Sequence, residues 1–136
     1  MLVEDSSSDA ELTKEALDAD SFECIAHLED GEEAIEFLQR KGKYTAAIPP
    51  DMVLLDLNLP CMNGLEVLRE MRADPDLALI PVIVLTTSED DDDIRAAYRM
   101  HANCFVSKPV SMPKFTEAMK ALESFWLGYV AFPPPA

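Results

Sequence analysis

The sequence predicts a three-layer α/β sandwich, a parallel sheet covered on both faces by helices. Apolar runs such as Val53-Leu54-Leu55 and Val82-Ile83-Val84-Leu85 lack polar alternation, the pattern of strands buried on both faces. These runs alternate with stretches of helical spacing, giving five strands and five helices that right-handed crossovers wind into one sheet. The runs also end in carboxylate, hydroxyl or ammonium side chains, and in an open parallel sheet ligands bind at the carboxyl ends of the strands.

Residues 1–3 are a strand fragment ending in Glu4-Asp5, short for a central strand, which points to a start upstream. Ser6-Ser7-Ser8 offers caps to a helix over residues 9–19, with Leu12, Ala16 and Leu17 on one face and Asp9 and Glu11 near its positive end. Residues 22–28 read as the second strand. Asp30, with Glu33 three residues later, makes a capping-box-like start for a helix through Arg40 that stops near Gly42, before a loop over 43–50. The central strand lies between Asp51 and Asp56, and Pro60 forbids its continuation. Asn63 caps a helix over 64–74 with Leu65, Leu68 and Met71 inward, and Pro75 terminates it. Pro81 introduces the fourth strand, which ends in Thr86, Thr87 and Ser88. Residues 91–101 form a helix with Ile94, Ala97 and Tyr98 inward, and 104–107 a fifth strand ending at Lys108-Pro109. Ser111 can cap the last helix, where Phe115, Met119, Leu122 and Trp126 follow helical spacing, Ala118 and Phe125 broaden the face, and Gly128 ends it.

With 136 residues the chain is the size of one domain, set at 1–128, with 129–136 an apolar, Pro-rich extension. A formal charge of −15 repels nucleic acid and anionic membrane surfaces, so partners should be basic, metallic or apolar. Cys24, Cys61 and Cys104 are widely spaced and contain no CxxC pair, which suits a reducing cytosol better than disulfides or zinc. There is no signal peptide and no bilayer-spanning apolar run, so the protein is expected to be cytoplasmic.

The strand ends together supply Glu4, Asp5, Asp56, Thr86 and Lys108. Crowded carboxylates raise one another's pKa unless a cation neutralises them, and Mg²⁺ is the hard cation that takes a few oxygens while keeping waters. Such an ion, an ammonium and a hydroxyl can share the equatorial oxygens of a phosphoryl group in transit. Asp56 is then the nucleophile, forming an acyl phosphate.

Over essentially the whole chain the sequence resembles the receiver domain of two-component response regulators. The matching residues, in the family's order and spacing, are Val3-Glu4-Asp5, Leu54-Leu55-Asp56-Leu57-Asn58-Leu59-Pro60, Met62-Asn63-Gly64, Pro81-Val82-Ile83-Val84-Leu85-Thr86 and Lys108-Pro109. The resemblance implies a flavodoxin-like sheet of order 2-1-3-4-5 and phosphoryl transfer from a histidine kinase or phosphorelay histidine to Asp56, with autodephosphorylation its other intrinsic reaction. It implies Mg²⁺ held by Asp5, Asp56 and the Asn58 backbone carbonyl, with Glu4 helping through water. It also implies Lys108 on the phosphoryl group, a cis Lys108-Pro109 peptide, and Thr86 with Phe105 as the switch pair. There the Thr86 hydroxyl moves to a phosphoryl oxygen and vacates space that the ring can enter. Phe105 replaces the tyrosine more often found, and Thr87 is bulkier than the small residue usual at its position, which should alter the dephosphorylation rate.

The apolar end, Phe125 to Phe132 followed by three prolines, exceeds what one helix face can bury in a small domain and implies a partner surface. It is similar to the end of single-domain regulators paired with bacterial phytochrome kinases, which dimerise through the last helix and its extension, and the Lys43-Tyr44 loop looks like that subgroup too. An SH3-type ligand is a poorer reading of three prolines. Residues 89–93 read as helix-start acids, His27 and His101 lack a phosphodonor motif, and Cys61 reads as an exposed bystander. A haloacid-dehalogenase-type phosphatase would need Asp where Asn58 stands, and a flavodoxin would need a hydroxyl-rich loop where Glu4-Asp5 repels phosphate. A scaffolding pseudo-receiver is the remaining alternative.

Overall fold

The computed structural model describes residues 1–17 and 22–134. Five parallel strands, β1 (Leu2–Val3), β2 (His27–Leu28), β3 (Val53–Leu55), β4 (Val82–Thr86) and β5 (Cys104–Ser107), form one sheet in the order β2-β1-β3-β4-β5. Helices α1 (Ser7–Ala16), α2 (Gly31–Leu38), α3 (Gly64–Ala73), α4 (Asp91–Arg99) and α5 (Met112–Gly128) cover it. This is the flavodoxin-like arrangement expected.

Alternation along each strand divides the core into two layers. Val53 and Leu55 on β3, with Val82 and Val84 on β4, point to one face and pack with Ala34, Val67, Leu68 and Met71 of α2 and α3. Leu54 and Ile83 point to the other and meet Ala10 of α1 and Trp126 of α5. Phe115 and Met119 of α5 close that second layer against Ala16 and Leu85.

Several element expectations are corrected. The second strand shrinks from 22–28 to His27–Leu28 because it is an edge strand whose neighbour offers only Leu2 and Val3, in register with His27 and Leu28. In α1 the Ser6 hydroxyl accepts from Asp9 N at 3.3 Å, and the buried face is Ala10, Thr13 and Ala16 rather than Leu12. The buried Thr13 hydroxyl donates to the Asp9 carbonyl at 2.9 Å. The expected end of this helix at residue 19 lies outside the described residues.

Asp30 caps α2 by accepting from Glu33 N at 2.7 Å. The Glu33 carboxylate does not return to the cap; it takes the Tyr44 hydroxyl at 2.9 Å and Lys43 at 3.0 Å, pinning a short 3-10 turn at Gly42–Tyr44. α2 stops before Gly42 because Arg40 already adopts a left-handed φ of 55°.

On α4 only Ala97 is buried, while Tyr98 is 48% exposed and not inward as expected. β5 is the other sheet edge, and the Tyr98 hydroxyl accepts from its Phe105 N–H at 3.2 Å, so the ring lies across that edge instead of under the sheet. On α5, Ser111 occupies the N-cap without a side-chain hydrogen bond, and Phe125 stays 56% exposed, since the buried stripe runs through Phe115, Met119 and Trp126. No helix of the described residues is long and apolar enough to cross a membrane.

Candidate functional site

Parallel pairing places the carboxyl ends of all five strands on one edge, and the site assembles there. Glu4 and Asp5 follow β1, Asp56 follows β3, Thr86 ends β4 and Lys108 follows β5. The Asp56 backbone N–H donates to Val3 O at 3.0 Å, fixing the two acidic strand ends side by side. Gly64 lets α3 start against this point: a Cβ there would lie 2.3 Å from the Asp56 carbonyl oxygen.

Glu4, Asp5 and Asp56 each bring an oxygen into a group whose members all lie within 4.8 Å of one another, with Glu4 and Asp56 buried and Asp5 exposed. The Lys108 ammonium, its side chain only 7% exposed, donates to Glu4 Oε1, to Asp9 Oδ2 at 3.2 Å and to Asp56 Oδ2 at 3.2 Å. Asp56 Oδ1 accepts from Asn58 N at 3.0 Å.

The two buried carboxylates are pushed in opposite directions. Burial pushes Glu4 up to about 7, Lys108 opposing and Asp56 adding to the rise. Asp56 is also penalised by burial, yet the Glu4 carboxyl, the Asn58 N–H and Lys108 together hold it below the ordinary aspartate range. Lys108 is raised in turn: burial works against its charge, but Glu4, Asp56 and Asp9 outweigh it. The site thus presents an ionised Asp56, a protonatable Glu4 and a firmly charged Lys108. All donors are hard carboxylate oxygens, as a divalent cation of the Mg²⁺, Mn²⁺ or Ca²⁺ kind requires, so the residues fit such an ion.

Thr86 is fully buried, with Oγ1 accepting from Ser88 N at 3.4 Å, and Phe105 is half-buried against the core layer beneath α2 and α3. Thr87 is exposed beside them. Every strand-end residue expected from the sequence is therefore on this edge. Asp9 was missed: a helix-start acid is ordinarily a partner of the helix dipole, and the available signal was that α1 begins at the edge where β1 ends. The expected cis Lys108-Pro109 peptide is also corrected, since no peptide bond among the described residues is cis. The trans isomer is favoured by about 0.5–1 kcal/mol before proline, and from it Lys108 still reaches all three carboxylates.

His27 and His101 lie outside this constellation. The His27 ring donates from Nε2 to the Glu4 carbonyl at 2.8 Å, and the His101 carbonyl accepts from Arg72 at 3.1 Å. Cys24, Cys61 and Cys104 are free thiols.

The family model of the response regulator receiver domain matches residues 1–120. The chain belongs to this family. It is 42% identical to the response regulator Rcp1 of Synechocystis sp. (strain ATCC 27184 / PCC 6803 / Kazusa) over 134 residues, covering 98% of this chain and 91% of that protein. The crystal structure of the Mn²⁺-bound form of Rcp1 superposes with a TM-score of 0.87, covering 98% of this chain and 96% of that one. The phosphorylated cyanobacterial phytochrome response regulator RcpA gives a TM-score of 0.90 at 40% identity, with the same coverage. This receiver domain is accordingly a signalling module whose acidic cluster has the make-up of a divalent-metal site.

Proposed function

We propose that this receiver accepts a phosphoryl group on Asp56 from a histidine kinase or phosphorelay histidine and acts as a cytoplasmic signalling module. The observation that carries the reading is the ionised, buried Asp56 between Lys108 and the Glu4–Asp5 pair. An Asp56 carboxylate oxygen bonds to phosphorus as the phosphorus–nitrogen bond to the donor imidazole breaks, and the imidazole keeps the electron pair and takes a proton. Water later cleaves the acyl phosphate, the domain's only other intrinsic reaction. Lys108 follows the phosphoryl oxygens, and Asp5, Asp56 and the Asn58 carbonyl hold Mg²⁺, with Glu4 acting through water. The ion supplies charge neutralisation at those oxygens. Thr86 and Phe105 pass the change to the β5 edge and α4.

The name of RcpA supports a phytochrome-type kinase as the donor. The assignment of 1–128 to the receiver and 129–136 to an extension carries a further expectation, a homodimer through α5 and that extension. Phe125, Leu127 and Tyr129 support it, being 56%, 41% and 84% exposed even though Phe132 folds back onto Trp126 with ring centroids 5.9 Å apart. A sedimentation profile that stays monomeric at high micromolar concentration would remove the dimer. The acceptor is tested by intact mass after incubation with acetyl phosphate and Mg²⁺, beside Asp56→Asn and EDTA controls. The expected result is a phosphate-sized, Mg²⁺-dependent gain lost in Asp56→Asn; no gain under any condition would make the chain a scaffolding pseudo-receiver.

A further inference from the structure

The ladder between β1 and β2 stops one step short of the site. Leu2 N–H donates to the Ala26 carbonyl and Glu4 N–H to the Leu28 carbonyl, both at 2.9 Å, so the even spacing of a parallel pair calls next for a donor from Asp30 to the Glu4 carbonyl. Asp30 has left the sheet by then to cap α2. Glu4 is 2% exposed, and its carbonyl without a partner would be a buried orphan. The His27 imidazole takes the missing donor's place from the edge strand, with Nε2 at 2.8 Å. That bond fixes the peptide joining Glu4 to Asp5. Asp5 is exposed, and no group among the described residues hydrogen-bonds to it, so the direction of its carboxylate is set by the backbone that carries it. On the far side of Asp5, Ser6 N–H reaches the Glu4 carboxylate only at 3.4 Å.

We infer that His27 is a positioning residue for the divalent-metal site: it holds the Glu4–Asp5 peptide so that the Asp5 oxygen stays within 4.8 Å of those of Glu4 and Asp56. The inference rests on the reading above in which Asp5 and Asp56 hold Mg²⁺. Hydrogen-bond partners that orient a metal ligand are typically worth about 10–100-fold in affinity, and His27 acts further away, on the backbone carrying the ligand, so its loss should cost about three- to tenfold. An imidazole that served the fold alone would lower stability when removed and leave the affinity where it was.

The test is calorimetric Mg²⁺ binding to the full chain well below its unfolding temperature, with urea unfolding in EDTA recorded for each variant so that lost stability is read apart from lost affinity. His27→Phe keeps a ring and removes the donor, whereas His27→Gln returns an N–H donor at the end of its side chain. His27→Phe should bind Mg²⁺ about three- to tenfold more weakly than the parent, with the Asp5 and Ser6 amide resonances displaced in the metal-free protein, and His27→Gln should bind within about twofold of the parent. His27→Ala, which admits water to the carbonyl, stands in if His27→Phe does not fold, with the same weakening expected. Parental affinity in His27→Phe or His27→Ala, or a His27→Gln no tighter than they are, would overturn the inference. A parent chain that binds no Mg²⁺ would overturn the metal reading itself and the inference with it.

Discussion

Raising the pH from 6 to 8 should tighten Mg²⁺ binding about tenfold, and Glu4→Gln should abolish the dependence. Glu4 is 2% exposed, and burial, with Asp56 adding and Lys108 opposing, raises its carboxyl from 4.5 to about 7. With that value the cation-free site is ionised at Glu4 in about one molecule in eleven at pH 6 and about ten in eleven at pH 8, a ratio worth about 1.4 kcal/mol. A divalent cation favours the carboxylate whether it touches Glu4 or acts through water, so binding expels the proton. Calorimetry in buffers of different ionisation enthalpy counts it directly: close to one proton released per ion at pH 6, close to none at pH 8. The sign for stability is opposite to that of an ordinary paired aspartate. A folded pKa above the unfolded one means that, without the cation, Glu4 loses stability for the fold as pH rises from about 4.5 through about 7. Proton release absent at pH 6, or the same slope in Glu4→Gln, would refute the reasoning.

Gly64→Ala would put a Cβ 2.3 Å from the Asp56 carbonyl oxygen and 2.6 Å from Leu57 Cα, both backbone, so α3 must lift from the end of β3. The expected cost is about 1–3 kcal/mol in urea unfolding together with slower acetyl-phosphate labelling, and a variant with parental labelling would refute the link between α3 and Asp56. Arg72→Ala should cost about 1.5–3 kcal/mol, because its guanidinium donates to the Ala78, Ile80 and His101 carbonyls and to Asn103 Oδ1, tying α3 to the segments that enter β4 and β5. Labelling of Asp56 should be unchanged in that variant, and a loss would show that the tie reaches the site. Thr87→Ala, at an exposed position beside the buried Thr86, should change the acyl-phosphate lifetime measured by intact mass, and an unchanged lifetime would dismiss Thr87 as a gate.

What the sequence made legible follows from which forces are local. β3 and β4 are readable because apolar runs buried on both faces admit little else, and α3 because Asn63 caps it by accepting from Glu66 N while Leu68 and Met71 repeat at helical spacing. The second strand was overextended because a strand's length depends on its neighbour, and β1 is two residues long. Tyr98 and Phe125 sit on apolar helical stripes, yet whether such a residue turns inward depends on what lies opposite. Tyr98 finds the open edge of β5 and Phe125 finds solvent. Glu4, Asp5, Asp56, Thr86 and Lys108 could be collected from sequence because parallel topology sends every strand end to one edge. Asp9 could not, since its contact with Lys108 joins residues 99 apart and depends on where α1 begins.

The site gathers more carboxylates than cationic groups. Glu4, Asp9 and Asp56 share one ammonium, and Asp5 stands beside them. Four ionised carboxylates there would oppose folding; a proton retained on Glu4 and the raised pKa of Lys108 relieve this. Chelation should therefore leave the protein folded at pH 6, and the stabilisation that Mg²⁺ adds should be larger at pH 8, where the ion no longer competes with a proton. Binding that excludes the unfolded chain stabilises by RT ln(1 + [L]/Kd), so a tenfold tighter site at a fixed saturating concentration adds about 1.4 kcal/mol. Thermal unfolding with Mg²⁺ and with EDTA at the two pH values measures the difference. Equal gains would mean that the proton on Glu4 and the cation do not compete for the same carboxylates.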